Sequence, residues 1–179
     1  MTAKRRSLGV IAVVCCVLLT AACSAPPEGP NTGGGEVDYK QVSDGHLTFL
    51  LPKPWVRSST GTKPFDAAYA GGGMEVRVAG DYSDDGTAYA ALARLDLTAT
   101  FQLTGYKPVH TGKIKVNGAH DAVERSFTYL DGSSTKTGVW IIATQFPYPA
   151  SAVLTITAPA DDVKVMKYIQ DSVGFKNYH

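Results

Sequence analysis

The stretch TGVWIIATQF, residues 137–146, decides the architecture. In an extended chain successive side chains point to opposite faces, so Val139, Ile141 and Ala143 share one face while Trp140, Ile142 and Phe146 share the other. Both stripes are apolar. A sheet with one wet face alternates apolar and polar residues, whereas a strand that is apolar on both sides needs one layer above it and another below. The segment reads as the central strand of a sheet covered on two faces.

The flanking sequence supplies its neighbours. Upstream, DGSS at residues 131–134 makes a turn, and the strand pattern over 119–130 leads back to Asn117-Gly118, a pair that tolerates positive φ and marks a tight hairpin with a partner strand over 113–116. Downstream, Pro147, Tyr148 and Pro149 mark a turn into a further strand over 152–158. Strand patterns at 65–70 and 74–79 are joined through three glycines, with Met74, Val76 and Val78 on one face and Glu75 and Arg77 on the other. LTFLLP at residues 47–52 is a strand ended by its proline, and Trp55 anchors the exit.

Two segments have the helical period instead. Ala88, Ala91, Leu92, Leu95 and Ala99 recur behind DDGT at 84–87, which offers capping side chains, so a helix is predicted over 87–103, stopped by Gly105 and Pro108. Val163, Met166, Ile169 and Val173 predict a second helix over 160–172. The fold class is α+β: a central antiparallel β-sheet flanked by helices, an α/β/α sandwich.

Three features resemble the PsbP-like family, which includes small bacterial envelope lipoproteins. They are LTFLLPKPW at 47–55, the VNG turn at 116–118 followed by a long strand ending in YLDG at 129–132, and a last helix closing in SVGF at 172–175. Pro54 stands where the family usually has glycine. The resemblance spans about Gly45 to Phe175, and it implies a monomeric sandwich used for binding, with no shared active site to carry over.

The N-terminus carries a different kind of information. Lys4, Arg5 and Arg6 precede an apolar run over 8–19 and then Thr20-Ala21-Ala22-Cys23, the layout of a secretory signal. The run is shorter than the about 20 residues a membrane-spanning helix needs. Ala21, Ala22 and Cys23 resemble the lipobox of bacterial lipoproteins, with Thr20 where leucine is commonest. Cys15 and Cys16 fall inside the signal, so Cys23 is the only cysteine beyond it, and acylation would remove a thiol that is a liability outside the cell. Residues 1–22 are thus read as a lipoprotein signal peptide, 23–45 as a Pro/Gly-rich tether beginning at lipidated Cys23, and 46–179 as a single globular domain.

Removing residues 1–22 takes Lys4, Arg5 and Arg6 from the 17 basic residues and leaves 14 against 16 acidic ones, with no basic cluster to displace counterions from a nucleic acid. The four histidines, His46, His110, His120 and His179, match no metal-ligand spacing. No G-x-S-x-G motif is present. The pairs Asp84-Asp85 and Asp161-Asp162 precede helices, where the helix dipole accounts for them. Arg125 shares a strand face with Val123, Phe127 and Tyr129, which calls for a carboxylate partner such as Glu75 or Asp96 and leaves a ligand role as the alternative. Phe146 and Tyr148, set among Pro147 and Pro149, are the candidate partner contact.

The sequence therefore points to a monomeric lipoprotein on the outer face of the cell membrane, acting as a non-enzymatic binding or assembly module for an unidentified envelope protein, with no catalytic residue, cofactor, metal or nucleic acid. A carrier of an apolar envelope ligand, held between sheet and helix, is the alternative, and a hydrolase with an unfamiliar site comes third. Replacing Cys23→Ser is expected to release the protein from the membrane fraction, and intact mass of the wild type is expected to show diacylglyceryl-cysteine; an unmodified Cys23 would refute the anchor.

Overall fold

The computed structural model describes residues 37–58, 63–147, 149–159 and 163–177. In chain order the elements are β1 (Tyr39–Asp44), β2 (Leu47–Pro52), β3 (Val56–Ser58), β4 (Ala67–Gly71), β5 (Met74–Ser83), α1 (Ala88–Gln102), β6 (Lys107–Lys113), β7 (Asp121–Asp131), β8 (Ser134–Gln145), β9 (Ala150–Pro159), α2 (Val163–Asp171) and β10 (Gly174–Phe175). They form a mixed α+β fold around a seven-stranded sheet of order β3-β4-β5-β9-β8-β7-β6, whose neighbours all pair antiparallel. A second sheet has the order β1-β2-β10.

β8 lies inside the large sheet and is buried on both faces. Val139, Ile141 and Ala143 join a core with Val76, Val78, Leu154 and Ile156. Trp140 and Ile142 join a second core with Val123, Phe127 and Val153. Helix α1 covers this second face through Ala88, Ala91, Leu92, Leu95 and Ala99. The first face is covered differently from the simple sandwich expected: β2 contributes Leu47, Phe49 and Leu51, and α2 contributes Met166 and Ile169. The three-stranded sheet and a helix share the layer that a helix alone was expected to form. The second helix's expected face is correspondingly narrower, since Val163 is exposed while Met166, Ile169 and Val173 are buried.

Two of the differences from the sequence reading change how the chain is connected. β1 lies within the stretch read as tether and pairs with β2 along its whole length, from Tyr39↔Pro52 to Asp44↔Leu47. It is an edge strand of mostly polar residues, with Val42 packed against the core and Tyr39 stacked on Tyr168 of α2 at 4.1 Å, so it lacks the apolar alternation that announces a strand.

The second difference is at Asn117-Gly118. The partner strand is β6, over Lys107–Lys113 and not 113–116, and it closes on β7 with Lys113↔Val123. Residues 114–120 form a loop in which Ala119 N–H donates to the Val116 carbonyl at 3.2 Å and Gly118 has φ +84. The tip of this loop is docked: the Asn117 carbonyl accepts from Phe175 N–H at 2.8 Å, and a Cβ on Gly118 would lie 2.0 Å from the Phe175 carbonyl oxygen. Asn-Gly makes a turn here, as its preference for positive φ requires, but β10 uses it as a landing point and a wider loop results.

Helix α1 starts where expected, by a partly different device. The Thr87 side chain accepts from Ala90 N–H at 3.3 Å, and Asp121, at the start of β7, accepts from Ala88 N–H at 3.1 Å. Asp85 is not in the first turn; it accepts from Ser83 Oγ and is paired with Arg94. These two contacts hold its carboxyl below the usual range, the serine bond being the larger cause and the Arg94 bond the next. The pair Asp161-Asp162 lies outside the described residues. The helix stops at Leu103, whose N–H donates to the Ala99 carbonyl, before Gly105 at φ +65.

Because the two faces of β8 belong to different cores, Trp140→Ala and Ile141→Ala are expected to destabilise independently, each by about 2–5 kcal/mol as for large-to-small changes in a packed interior. Denaturant unfolding of both single variants and of the double variant measures this. An unchanged midpoint for either single variant would contradict the two-layer core.

Candidate functional site

The α1 face of the large sheet is apolar at one end and polar at the other. Cross-strand pairing puts Phe127, Gly138, Thr157 and Glu75 in one row across β7, β8, β9 and β5, and Arg125, Trp140, Thr155 and Arg77 in the next. Gly138 lets the Phe127 ring lie across its backbone, where a Cβ would meet the ring at 2.2 Å. Phe127 in turn packs on Trp140 at 4.4 Å and on Tyr129 at 6.1 Å. The two rows thus run from an aromatic strip on β7 and β8 to a polar strip on β9 and β5.

Between these strips and α1 lies a cleft of about 320 Å³. Leu95 and Ala99 of α1, Leu103 just past its end and the rings of Phe127 and Trp140 form its apolar part. Thr155, Thr157, Glu75, Arg77 and Tyr129 form its polar wall. Arg77 Nε donates to Glu75 at 2.9 Å. Burial, as the main cause, raises the Tyr129 hydroxyl above its usual pKa. Thr155 is 6% exposed, and its Oγ1 is buried with no hydrogen-bond partner among the described residues. A second cleft of about 330 Å³ shares Glu75, Tyr129, Asp131 and Thr157 with the first and adds Lys136.

Arg125 is held on the far side of this aromatic strip. Its NH1 donates to Asp96 Oδ1 at 2.6 Å and to the Tyr106 hydroxyl at 3.4 Å, and Tyr106 donates to the same carboxylate oxygen at 2.5 Å. Of the two carboxylates considered, Asp96 is the partner, and Glu75 pairs with Arg77. Tyr106 also stacks on Trp140 at 5.7 Å. Burial, with the bond to Asp96 adding to it and Arg125 opposing it, pushes the Tyr106 hydroxyl up to about 12. The cluster fastens α1 to β7 and to the residue that leads into β6.

The other sequence candidates stand apart from the cleft. Phe146 follows β8 in a turn and is 65% exposed, not on the Trp140 face; its ring lies 5.3 Å from that of His120. Tyr148 and Cys23 lie outside the described residues. His46 is buried, with Nδ1 2.7 Å from the Lys176 carbonyl and Nε2 3.2 Å from Asp81, and its ring stacks on Phe175 at 5.0 Å. Among the described residues no three His, Cys, Asp or Glu side chains converge as metal ligands, and no helix is long and apolar enough to cross a membrane. The cleft residues were missed as a group, although Glu75, Arg77, Thr155 and Thr157 leave a signal: polar residues alternating with apolar ones at one end of each of two strands.

Solved structures of similar architecture include the Ran-binding protein Mog1p of Saccharomyces cerevisiae, at 12% identity and a TM-score of 0.49 over 78% of this chain and 96% of that one. LpqN of Mycobacterium tuberculosis, involved in cell envelope biogenesis, matches at 13% identity and a TM-score of 0.48 over 83% and 100%. A Pseudomonas aeruginosa protein of unknown function, PA94, matches at 18% identity and a TM-score of 0.43 over 72% and 88%. No family model matches the chain, and no curated protein does.

The Tyr106 shift fixes a sign for pH dependence. The folded protein prefers the protonated phenol, so this contribution to stability is whole below pH about 10, the ordinary tyrosine value, and is lost as pH rises towards the folded value of about 12. Replacing Tyr106→Phe is expected to flatten the alkaline decline of the thermal midpoint over that window. An identical decline in the variant would place the titrating group elsewhere.

Proposed function

We propose that this protein is an exported, lipid-anchored binding module of the cell envelope, tethered at Cys23 to the outer face of the membrane, that takes a small ligand with an apolar body into the cleft under α1 without turning it over. The observation that carries this reading is the cleft itself: aromatic and aliphatic residues on one side, and on the other a polar wall in which the Thr155 hydroxyl has no partner among the described residues. Small-molecule sites combine an apolar lining with a few convergent polar groups in this way. The volume of about 320 Å³ sits at the small end of the about 300–1,000 Å³ such sites occupy. The polar wall holds hydroxyls and an ion pair, and its carboxylate, Glu75, is engaged by Arg77, which supports reading these groups as ligand-binding ones.

A second reading, docking of an envelope protein on the turn after β8, is favoured by the exposure of Phe146. Rigid aromatic side chains commonly anchor such contacts.

The two readings separate under one pair of variants. The neutral dye N-phenylnaphthylamine is expected to bind wild type saturably with a rise in fluorescence. Thr98→Trp, which puts an indole into the cleft from an α1 position lining it, is expected to abolish that signal with little change in thermal midpoint, and Phe146→Ala is expected to leave it intact. Dye binding that survives Thr98→Trp removes the cleft from consideration, and reproducible turnover of an envelope substrate would overturn the non-enzymatic reading.

A further inference from the structure

Resting on the cleft reading, we infer that the ligand is an apolar-bodied monoanion, in its simplest form a carboxylate, whose charged end lies at Arg77 and Lys136 while its apolar body lies on Phe127 and Trp140. The two clefts share Glu75, Tyr129, Asp131 and Thr157, so they adjoin as one trough, apolar beneath α1 and charged towards the β7–β8 turn. Its uncommitted hydrogen-bonding groups are unequal in kind. Arg77 spends Nε on Glu75, and both its terminal nitrogens remain without an acceptor among the described residues. Lys136 is half-buried, lines the trough and has no ion-pair partner among the described residues. The Thr155 hydroxyl is a further group with no partner there.

Against these donors the trough offers few free acceptors. Glu75 is engaged by Arg77, and Asp131 is the carboxylate lining the trough that has no ion pair among the described residues. Asp131 is exposed, at the end of β7, where water screens it better than it screens half-buried Lys136. A ligand end that accepts hydrogen bonds and carries negative charge satisfies the guanidinium and the ammonium together, and the arginine fork suits a carboxylate in particular. A cationic end would find Asp131 as the one lining carboxylate outside an ion pair among the described residues, and would lie against Lys136 and the terminal nitrogens of Arg77.

Three probes with the same ten-carbon body class, decanoate, decanol and decylammonium, test this by displacement of N-phenylnaphthylamine from the full-length protein at neutral pH. Decanoate is expected to displace the dye at about tenfold lower concentration than either of the others, the factor that one charge-assisted contact supplies. Lys136→Gln is expected to remove most of that preference, and Asp131→Asn to enlarge it; the second change, at an exposed turn, keeps the test open if the first impairs folding. Equal displacement by all three probes, or preference for decylammonium, would overturn the anionic assignment and leave the cleft reading standing. A dye that never binds wild type removes the cleft reading, and this inference falls with it.

Discussion

Burial of β8 on both faces is the constraint from which the rest of the structure follows. Because Val139, Ile141 and Ala143 point into one core and Trp140 and Ile142 into the other, neither face of the sheet can be left to solvent. The chain meets the two demands with different material. α1 connects β5 to β6 and so crosses from the interior of the sheet to its edge over one face. β1, β2, α2 and β10 assemble over the other, drawing on both ends of the described chain, and the His46 backbone and ring join with Lys176 to tie those ends together.

How much of this is visible in the sequence depends on how local its cause is. The double stripe of β8 over 139–143, the glycine turn before β5, the Thr87 cap and the Gly105 stop depend on neighbours in sequence and stand where the pattern places them. Phe146, read into the second stripe, lies past the end of the strand. β1 is different: what makes it a strand is the exposed backbone edge of β2 beside it, and its own side chains carry almost no signal. The same holds for the loop at Asn117-Gly118, widened by a contact with Phe175 far along the chain. Arg125 was legible as a charge needing a carboxylate, and the choice between Asp96 and Glu75 needed the placement of α1.

For the candidate site the division is sharper. Phe146 is exposed, as a turn aromatic can be, and the signal that drew notice to it was local. The cleft is not local at all. Its wall is built from β5 and β9, neighbours in the sheet yet far apart in the chain, and its apolar side comes from β7, β8 and α1. Four polar residues at alternate positions of two strands become a wall only once Glu75↔Thr157 and Arg77↔Thr155 are in register.

Geometry also explains why there is a cleft to line. Strands in a sheet lie about 4.8 Å apart, while a helix with its side chains is about 10 Å across, so one helix covers roughly two strands fully. α1 packs on β7 and β8, and the same sheet face continues under β9 and β5 without a second helix among the described residues. Had that lane been apolar, it would form an exposed patch of the kind that invites aggregation. Instead, going along β9, Val153 beneath α1 gives way to Thr155 and Thr157, and β5 brings the Glu75–Arg77 pair beside them. The polar lane is thus the means by which a wide sheet tolerates a single covering helix on this face. The boundary between the covered and uncovered lanes, where aromatic rings meet hydroxyls and an ion pair, is where a ligand with an apolar body and a hydrogen-bonding end gains from both.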